Sequence, residues 1–317
     1  MKIILTGITG NLGSEIFHSL KLRGHEIVPV IRADCKDEAF RRLKSILGKE
    51  VVFSEIIISD LQGQLSVTYP LFSDCIIHCA GVVQFKDVSK QNEEMARNIT
   101  RLACQLKIPL YHISTAFVWK ADNAEPLNEY EKDKIRAEKV IVDSKIPGAI
   151  FRPSILTGNS ITGKIINFTG YHMVLKSFIK AVGETSNNLI RFPLFTGETN
   201  ILPVDLAADT IVNFIENEVR GTFFISNPTP PASEWLILES VKILSLDNKI
   251  LFIDCSLDKY EQLDLSQPER KLFNFLKHFI PYWTGSHIFP DSQVKSVVID
   301  KYYLKKIIDY ARLENWI

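Results

Sequence analysis

The chain predicts an α/β protein built on a doubly wound parallel sheet, with a smaller, discontinuous lobe drawn mainly from its C-terminal half. Three observations carry that expectation. Apolar, strand-like runs alternate with helix-like segments through the first half, the pattern of a parallel sheet covered on both faces. A glycine-rich turn, Thr6-Gly7-Ile8-Thr9-Gly10-Asn11-Leu12-Gly13, joins the first strand-like run to the first helix-like segment. The alternation then stops after Pro153.

Taken in order, Lys2–Leu5, Glu26–Ile31, Val51–Ile58, Cys75–His78, Leu110–Ile113 and Ala149–Phe151 read as strands. Helical spacing covers Leu12–Leu22, Glu38–Leu47, Asn92–Leu106 and Tyr130–Asp143. Crossovers between such strands are right-handed, and ligands bind at the carboxyl ends of the strands. After Pro153, Gly158, Gly163 and Gly170 punctuate a loop-rich stretch that leads to an apolar helix around Met173–Val182. Pro203-Val204-Asp205 followed by Leu206–Asn217 reads as a return to the main sheet, with Asp205 capping or starting a helix and Thr222–Ile225 as a late strand. A Pro-rich turn from Pro228, a helix near Glu234–Leu244, a strand near Ile250–Ile253 and a helical tail complete the second lobe. The expected division is 1–157 with about 200–227 for the nucleotide-binding domain, and about 158–199 with 228–317 for the substrate-binding lobe.

Bulk composition narrows the function classes. Lys+Arg and Asp+Glu balance at 37 each, so no global field draws the chain toward nucleic acid or an anionic membrane. The 5 cysteines include no C-x-x-C pair, and several lie in apolar runs, which predicts buried free thiols in a reducing compartment. Lys2 leads straight into a strand, leaving no room for a signal peptide, and no apolar run approaches the ~20 residues of a membrane span. A cytoplasmic location is expected. The 7 histidines are scattered without ligand spacing, so no metal is expected. Oligomeric state is left open.

The glycine turn has the chemistry of a dinucleotide pocket. Gly7 allows the tight turn out of the strand, Gly10 lets backbone approach a pyrophosphate, and Gly13 lets helix pack closely on sheet. N–H groups at the start of that helix, with its dipole, then hold the phosphates. About 20 positions on, an acidic residue would bind the adenosine ribose and indicate NAD. Arg32 stands there instead, with Arg41 and Arg42 on the next helix, and a guanidinium suits the 2′-phosphate of NADP. Asp34 opposes that positive field.

A second signal is Tyr130-Glu131-Lys132-Asp133-Lys134. Tyr130 and Lys134 are four apart and share a helix face. A phenol titrates near a pKa of about 10, and a neighbouring ammonium stabilises the phenolate, bringing Tyr130 toward use as a general acid or base. Lys134 is also placed to hold ribose hydroxyls. The same spacing suits a solvated helix face. The strand Leu110–Ile113 runs into Ser114-Thr115-Ala116 at the sheet edge where a ligand lies. Thr115 is the candidate to hold a substrate carbonyl or the Tyr130 hydroxyl, because alternation points Ser114 the other way. Strand-end hydroxyls also cap turns and helices.

With these segments the chain resembles an extended short-chain dehydrogenase/reductase, from Thr6 to about Asn227. The matching elements are the glycine turn, Ser59-Asp60-Leu61, His78-Cys79-Ala80-Gly81, Ser114-Thr115-Ala116, Tyr130 with Lys134, and Arg152-Pro153-Ser154. Arg32-Ala33, Thr115–Val118, Asn128–Glu131 through Glu138, Ile150–Ile155 with Gly158, and Pro203-Val204-Asp205 are most similar to its thioester-reductase or male-sterility branch. The resemblance implies a Rossmann fold and reduction of acyl thioesters, on coenzyme A or a carrier protein, with NADPH. It implies Thr115, Tyr130 and Lys134 as the catalytic set. It also implies cofactor contacts from Gly7, Thr9, Gly10, Asn11, Leu12, Gly13, Arg32, Arg42 and Lys134, with Asp60 and Leu61 flanking adenine. Ala80 and Gly81 would lie beneath the nicotinamide ribose and Pro153 near the nicotinamide. Two departures bear on substrate class: the link from Thr115 to Tyr130 is shorter than is usual in this branch, and Asp133 replaces the serine most relatives carry.

Other residues have two readings each. His78 is a packed, hydrogen-bonded residue before it is a metal ligand. Arg152 suits a ligand phosphate or a structural ion pair. The aromatic stretch from Phe273 to Trp283 suits an acyl pocket or a helix packed on the core. The expected activity is NADPH-dependent reduction of a carbonyl, foremost an acyl thioester, to aldehyde or alcohol. The rivals are a nucleotide-sugar epimerase or dehydratase that keeps its NAD, and a non-catalytic dinucleotide-binding sensor.

Overall fold

The computed structural model describes residues 1–317 apart from 64, 66–71, 84–89, 121–123, 186–188 and 296. The chain begins β1 (Lys2–Thr6), α1 (Asn11–Leu22), β2 (Glu26–Ile31), α2 (Lys36–Leu47), β3 (Ile57–Ile58) and β4 (Cys75–His78). It continues α3 (Gln91–Leu106), β5 (Leu110–Ile113), α4 (Glu129–Ser144), β6 (Gly148–Pro153), β7 (Ile155–Thr157) and α5 (Tyr171–Gly183). Next come β8 (Ile190–Pro193), β9 (Gly197–Glu198), β10 (Ile201–Pro203), α6 (Val204–Glu216) and β11 (Gly221–Ile225). The last elements are α7 (Ser233–Ile243), β12 (Ile250–Ile253), α8 (Leu257–Glu261), α9 (Gln267–Leu276), β13 (Gly285–Ser286) and α10 (Lys301–Leu313).

Two compact units form. The first holds Met1–Ser154, Val204–Ser226 and Pro290–Val294. Its core is a 7-stranded sheet in the order β11-β6-β5-β4-β1-β2-β3, and every pairing is parallel. This is the doubly wound Rossmann arrangement. Strand order reverses between β1 and β4, so the crevice that receives ligands in such sheets opens beyond Thr6 and His78. Strands buried on both faces read as unbroken apolar runs, and Ile3, Ile4 and Leu5 are accordingly buried. On one face α3 packs beside α4, with Met95, Ile99, Leu102, Ala137 and Ile141 closing over Ile76, Leu110 and Ile150. On the other, α1 packs against α6, joined by Ser19 Oγ donating to Asp209 Oδ1 at 2.6 Å and by an Arg23–Glu216 ion pair at 2.6 Å.

Several local expectations are corrected. The strand expected over Val51–Ile58 shrinks to Ile57–Ile58, paired as Val30↔Ile57 and Ile31↔Ile58. Val52 is exposed, and Phe53 instead turns inward onto Phe17 at a centroid distance of 5.7 Å. The cysteines are free, but Cys75 is buried while Cys35 and Cys104 are exposed. Cys35 precedes α2 at its N-cap, where no packing layer covers it. Residues 290–294, read from sequence as part of the lobe, group with the first unit, where the Gln293 amide donates to the Phe224 carbonyl at 2.9 Å.

The second unit holds Ile155–Pro203, Asn227–Phe289 and Lys295–Ile317. Its strands form parallel pairs, β7 with β10, β8 with β12 and β9 with β13. Its core is aromatic: Trp283 stacks on Tyr171 at 5.9 Å and meets Phe195 at 5.2 Å, while Phe178, Phe192 and Tyr260 interlock beside them. The stretch from Phe273 to Trp283 therefore contributes to packing, with Phe273, Tyr282 and Trp283 all buried. Among the described residues no helix is long and apolar enough to cross a membrane.

Candidate active site

The glycine turn follows β1 directly. Gly7 has φ +69°, and a Cβ there would stand 2.5 Å from the Ala80 nitrogen, so only glycine fits between the ends of β1 and β4. A Cβ on Gly13 would stand 2.1 Å from the Gly7 carbonyl oxygen, which shows how tightly α1 is seated on the turn. Gly10 is the N-cap of α1 and offers no side-chain bond. Thr9 and Asn11 are half-buried at the opening, while Leu12 and Gly13 are buried behind it. Bare backbone at a helix start, cradled by glycines, fits the pyrophosphate of a dinucleotide.

Two neighbouring loops complete the rim. After β4, the Ala80 amide donates to Thr6 Oγ1 at 3.0 Å, and the same hydroxyl stands 2.9 Å from His78 Nδ1. Burial, helped by the Lys134 charge, lowers the His78 pKa to about 3, so His78 is a neutral, packed imidazole. After β3, Leu61 is held at φ 64°, an uncommon conformation for a branched side chain. Its amide donates to Ser59 Oγ at 3.0 Å, and its carbonyl accepts from Asn98 Nδ2 at 3.0 Å. Asp60 is exposed, with its carboxylate accepting from the Gln62 amide at 2.9 Å.

At the end of β5, Thr115 caps a short turn over Ala116–Val118, its Oγ1 accepting from the Phe117 amide at 3.4 Å. Helix α4 begins beside it because Asn128 caps its first turn, accepting from the Glu131 amide at 3.0 Å. Glu131 reaches back to the Leu127 amide at 2.8 Å and pairs with Lys120 at 3.0 Å. Tyr130 thus lies in the first helical turn, hydrogen-bonded to Thr115. Lys134, one turn later and buried, donates to the Ile113 carbonyl at 3.1 Å. A Cβ on Gly81 would stand 3.1 Å from Lys134 Nζ. Thr115, Tyr130 and Lys134 therefore gather around the end of β5, and Lys134 faces the loop that abuts the glycine turn.

The electrostatics differ from the sequence expectation. Burial pushes the Tyr130 phenol up to about 12, with the Thr115 bond opposing it in part. Burial also lowers the Lys134 ammonium, against the pull of Cys79, Glu138 and Asp133. Four-residue spacing puts the two side chains on one face of α4 but carries no information about desolvation.

The remaining candidates separate. Arg32 is exposed at the end of β2, and Arg42 reaches back to hydrogen-bond its carbonyl. Asp34, Cys35, Glu38, Arg41, Arg42 and Ser45 line an open depression of about 690 Å³ beside it. Pro153 ends β6, opposite Ile225. Arg152 resolves to the structural ion pair, holding Glu138 through two bonds of 2.9 and 2.6 Å and lying 5.5 Å from the centre of the Phe224 ring. No cluster of His, Cys, Asp or Glu that could hold a metal ion occurs among the described residues. Asn92 and Asn98, which hold the two rim loops from α3, were missed by the sequence reading. Their signal was two amides within the otherwise apolar face formed by Met95, Ala96, Ile99 and Leu102.

The Rossmann fold and the family match of residues 1–171 make the chain an NAD(P)-dependent oxidoreductase of the extended short-chain dehydrogenase/reductase type. The chain belongs to the RmlD substrate binding domain family, whose sequence model matches residues 1–171. A probable low-salt glycan biosynthesis reductase, Agl14 of Haloferax volcanii, is 24% identical over 246 residues, covering 72% of this chain and 75% of the relative. Among solved structures, the terminal R domain from the myxalamid PKS-NRPS biosynthetic pathway shares the fold with a TM-score of 0.79 at 19% identity, over 100% of this chain and 91% of that one. UDP-N-acetylglucosamine 4-epimerase from Bacillus cereus shares it with a TM-score of 0.59 at 18% identity, over 89% of this chain and 99% of that one.

Proposed function

We propose that the protein is an NADPH-dependent reductase acting on a carbonyl, foremost an acyl thioester carried by coenzyme A or a carrier protein, and yielding aldehyde or alcohol. The observation that carries this reading is the gathering of Thr115, Tyr130 and Lys134 beside Gly81. When bound, the dinucleotide supplies a hydride. Gly7, Thr9, Gly10, Asn11, Leu12 and Gly13 hold its pyrophosphate end, Asp60 and Leu61 flank its adenine, and Ala80, Gly81 and Pro153 lie along its nicotinamide half. Thr115 polarises the substrate carbonyl, and Tyr130 donates its hydroxyl proton to the oxygen that becomes an alcohol. Lys134 holds the ribose hydroxyls and steadies the phenolate left behind. With a thioester, the hemithioacetal formed by the first reduction breaks its C–S bond, releasing thiol and aldehyde.

The choice of NADPH over NADH rests on Arg32 and Arg42 beside the depression after β2, since guanidinium pairs well with a phosphate monoester. The epimerase reading shares the fold but lacks a use for that cluster. Fluorescence titration with NADPH and NADH, followed by NADPH oxidation against a panel of acyl coenzyme A thioesters, tests the proposal. Preferential NADPH binding with thioester-dependent oxidation is expected. A clear preference for NADH, or binding with no turnover of any carbonyl, would overturn it.

A further inference from the structure

Asp133 has no part in the chemistry above, yet its side chain is buried one residue from Lys134. A buried carboxylate is costly unless it is hydrogen-bonded. Asp133 Oδ2 accepts from the Asn92 backbone amide at 2.9 Å and from Asn92 Nδ2 at 3.0 Å. Its Oδ1 accepts from the Glu93 amide at 3.3 Å and from Arg136 at 3.4 Å. The residue flanking α3, Lys90, supplies no side-chain cap, so a carboxylate from α4 caps α3 in its place.

Asn92 carries the contact onward. Its Oδ1 accepts from the Val82 amide at 2.9 Å, and its Nδ2 donates to the Val82 carbonyl at 3.0 Å. Asp133 Oδ2 accepts from Asn92 Nδ2, so the NH₂ end of the Asn92 amide faces the carboxylate. The carbonyl end is thereby turned to the Val82 N–H. A Cβ on Gly81 would stand 3.2 Å from Asn92 Oδ1 and 3.1 Å from Lys134 Nζ, which places the clamp and the ammonium against the same backbone.

We propose that Asp133 is a positioning residue that sets the Gly81-Val82 backbone through Asn92, so that dinucleotide affinity depends on a carboxylate which touches no cofactor. This rests on the dinucleotide reading of the site. It gives a physical role to the aspartate at a position where the family resemblance leads one to expect serine: a shorter hydroxyl there would not cap α3 and orient Asn92 together.

The test compares NADPH dissociation constants for the wild-type protein, Asp133→Ser, Asn92→Leu and the double variant, with hydrogen exchange at the Val82 amide in the cofactor-free proteins. Asn92→Leu keeps the Asp133 bonds to the α3 backbone and removes the side-chain amide, with its bonds to Val82 and its bond to Asp133 Oδ2. Each single variant should weaken NADPH binding by about tenfold, the scale of leaving a buried polar group unpaired. The double variant should be no weaker than the worse single, and Val82 should exchange faster in all three. Affinity within about twofold of wild type in Asn92→Leu, or single effects that multiply in the double variant, would overturn the proposal. A lower melting temperature in Asp133→Ser without a change in affinity would make Asp133 a helix cap alone and also overturn it. Should Asp133→Ser fail to fold, affinity and Val82 exchange in Asn92→Leu decide the matter. Wild-type protein that binds neither NADPH nor NADH would instead sink the dinucleotide reading itself.

Discussion

Tyr130 is a hydroxyl that holds its proton. With burial raising its pKa to about 12, it is in the donor form throughout the neutral range. The proposed reduction uses Tyr130 in that acid form, so its contribution is expected below the pKa and is lost only above it. The reduction rate should therefore show no loss traceable to Tyr130 between about pH 6 and about pH 9, and a pH–rate profile checks this. Replacing Tyr130 by Phe should lower turnover by ~10²-fold or more while NADPH affinity stays near wild type, as kinetics and titration together would show. At this scale the sequence was informative about which side chains share a face and silent about environment. The spacing of Tyr130 and Lys134 announced a shared face, and the strand end marked Thr115 as a partner for the Tyr130 hydroxyl; the roles of Asn92 and Asn98 were not legible, because they depend on which loops α3 faces.

The start of α1 is the element that the proposed cofactor site depends on most. Gly13→Ala would place a methyl group 2.1 Å from the Gly7 carbonyl oxygen, forcing helix and turn apart. A loss of about 1–3 kcal/mol in stability is expected, with NADPH binding falling below detection. Denaturation and titration would check the two effects separately. In the second unit, α9 is fixed by a capping box at Ser266 and Glu269 and by the Glu269–Arg191 pair at 2.8 Å. Burial pushes Glu269 upward, but bonds from Arg191 and Ser266 overcome it and hold its pKa at about 2, below the ordinary 4.5. A depressed carboxylate stabilises the fold above its unfolded pKa and loses that contribution as pH falls through the folded one. The wild-type melting temperature should thus fall more steeply than that of Glu269→Gln as pH drops from about 5 to about 2. Central strands such as β4 and β5 were legible as unbroken apolar runs. The edge strand β3 was not, because Val52 and Phe53 carry the same apolar pattern while one meets solvent and the other meets α1.

Over the whole molecule, the alternation of strand and helix gave the doubly wound sheet, and Gly7 and Gly13 marked the tight turn where α1 is seated at the end of β1. The second unit was less legible because its strands come in short pairs from distant segments, and residues 290–294 group with the first unit through a contact that no periodicity announces. Net charge is balanced, so cofactor choice falls to local charge. Arg32→Asp should weaken NADPH binding by about tenfold or more and narrow or reverse the preference over NADH, as parallel titrations would show. The central claim is net hydride transfer to a carbonyl at a site built from Thr115, Tyr130 and Lys134. Its most direct test supplies NADPH deuterated at the transferring C4 position with an acyl thioester and follows the label by mass spectrometry. Deuterium appearing in the released aldehyde or alcohol, and greatly reduced with Tyr130→Phe, is the predicted result. Label that stays on the cofactor while NADPH goes unconsumed would contradict it.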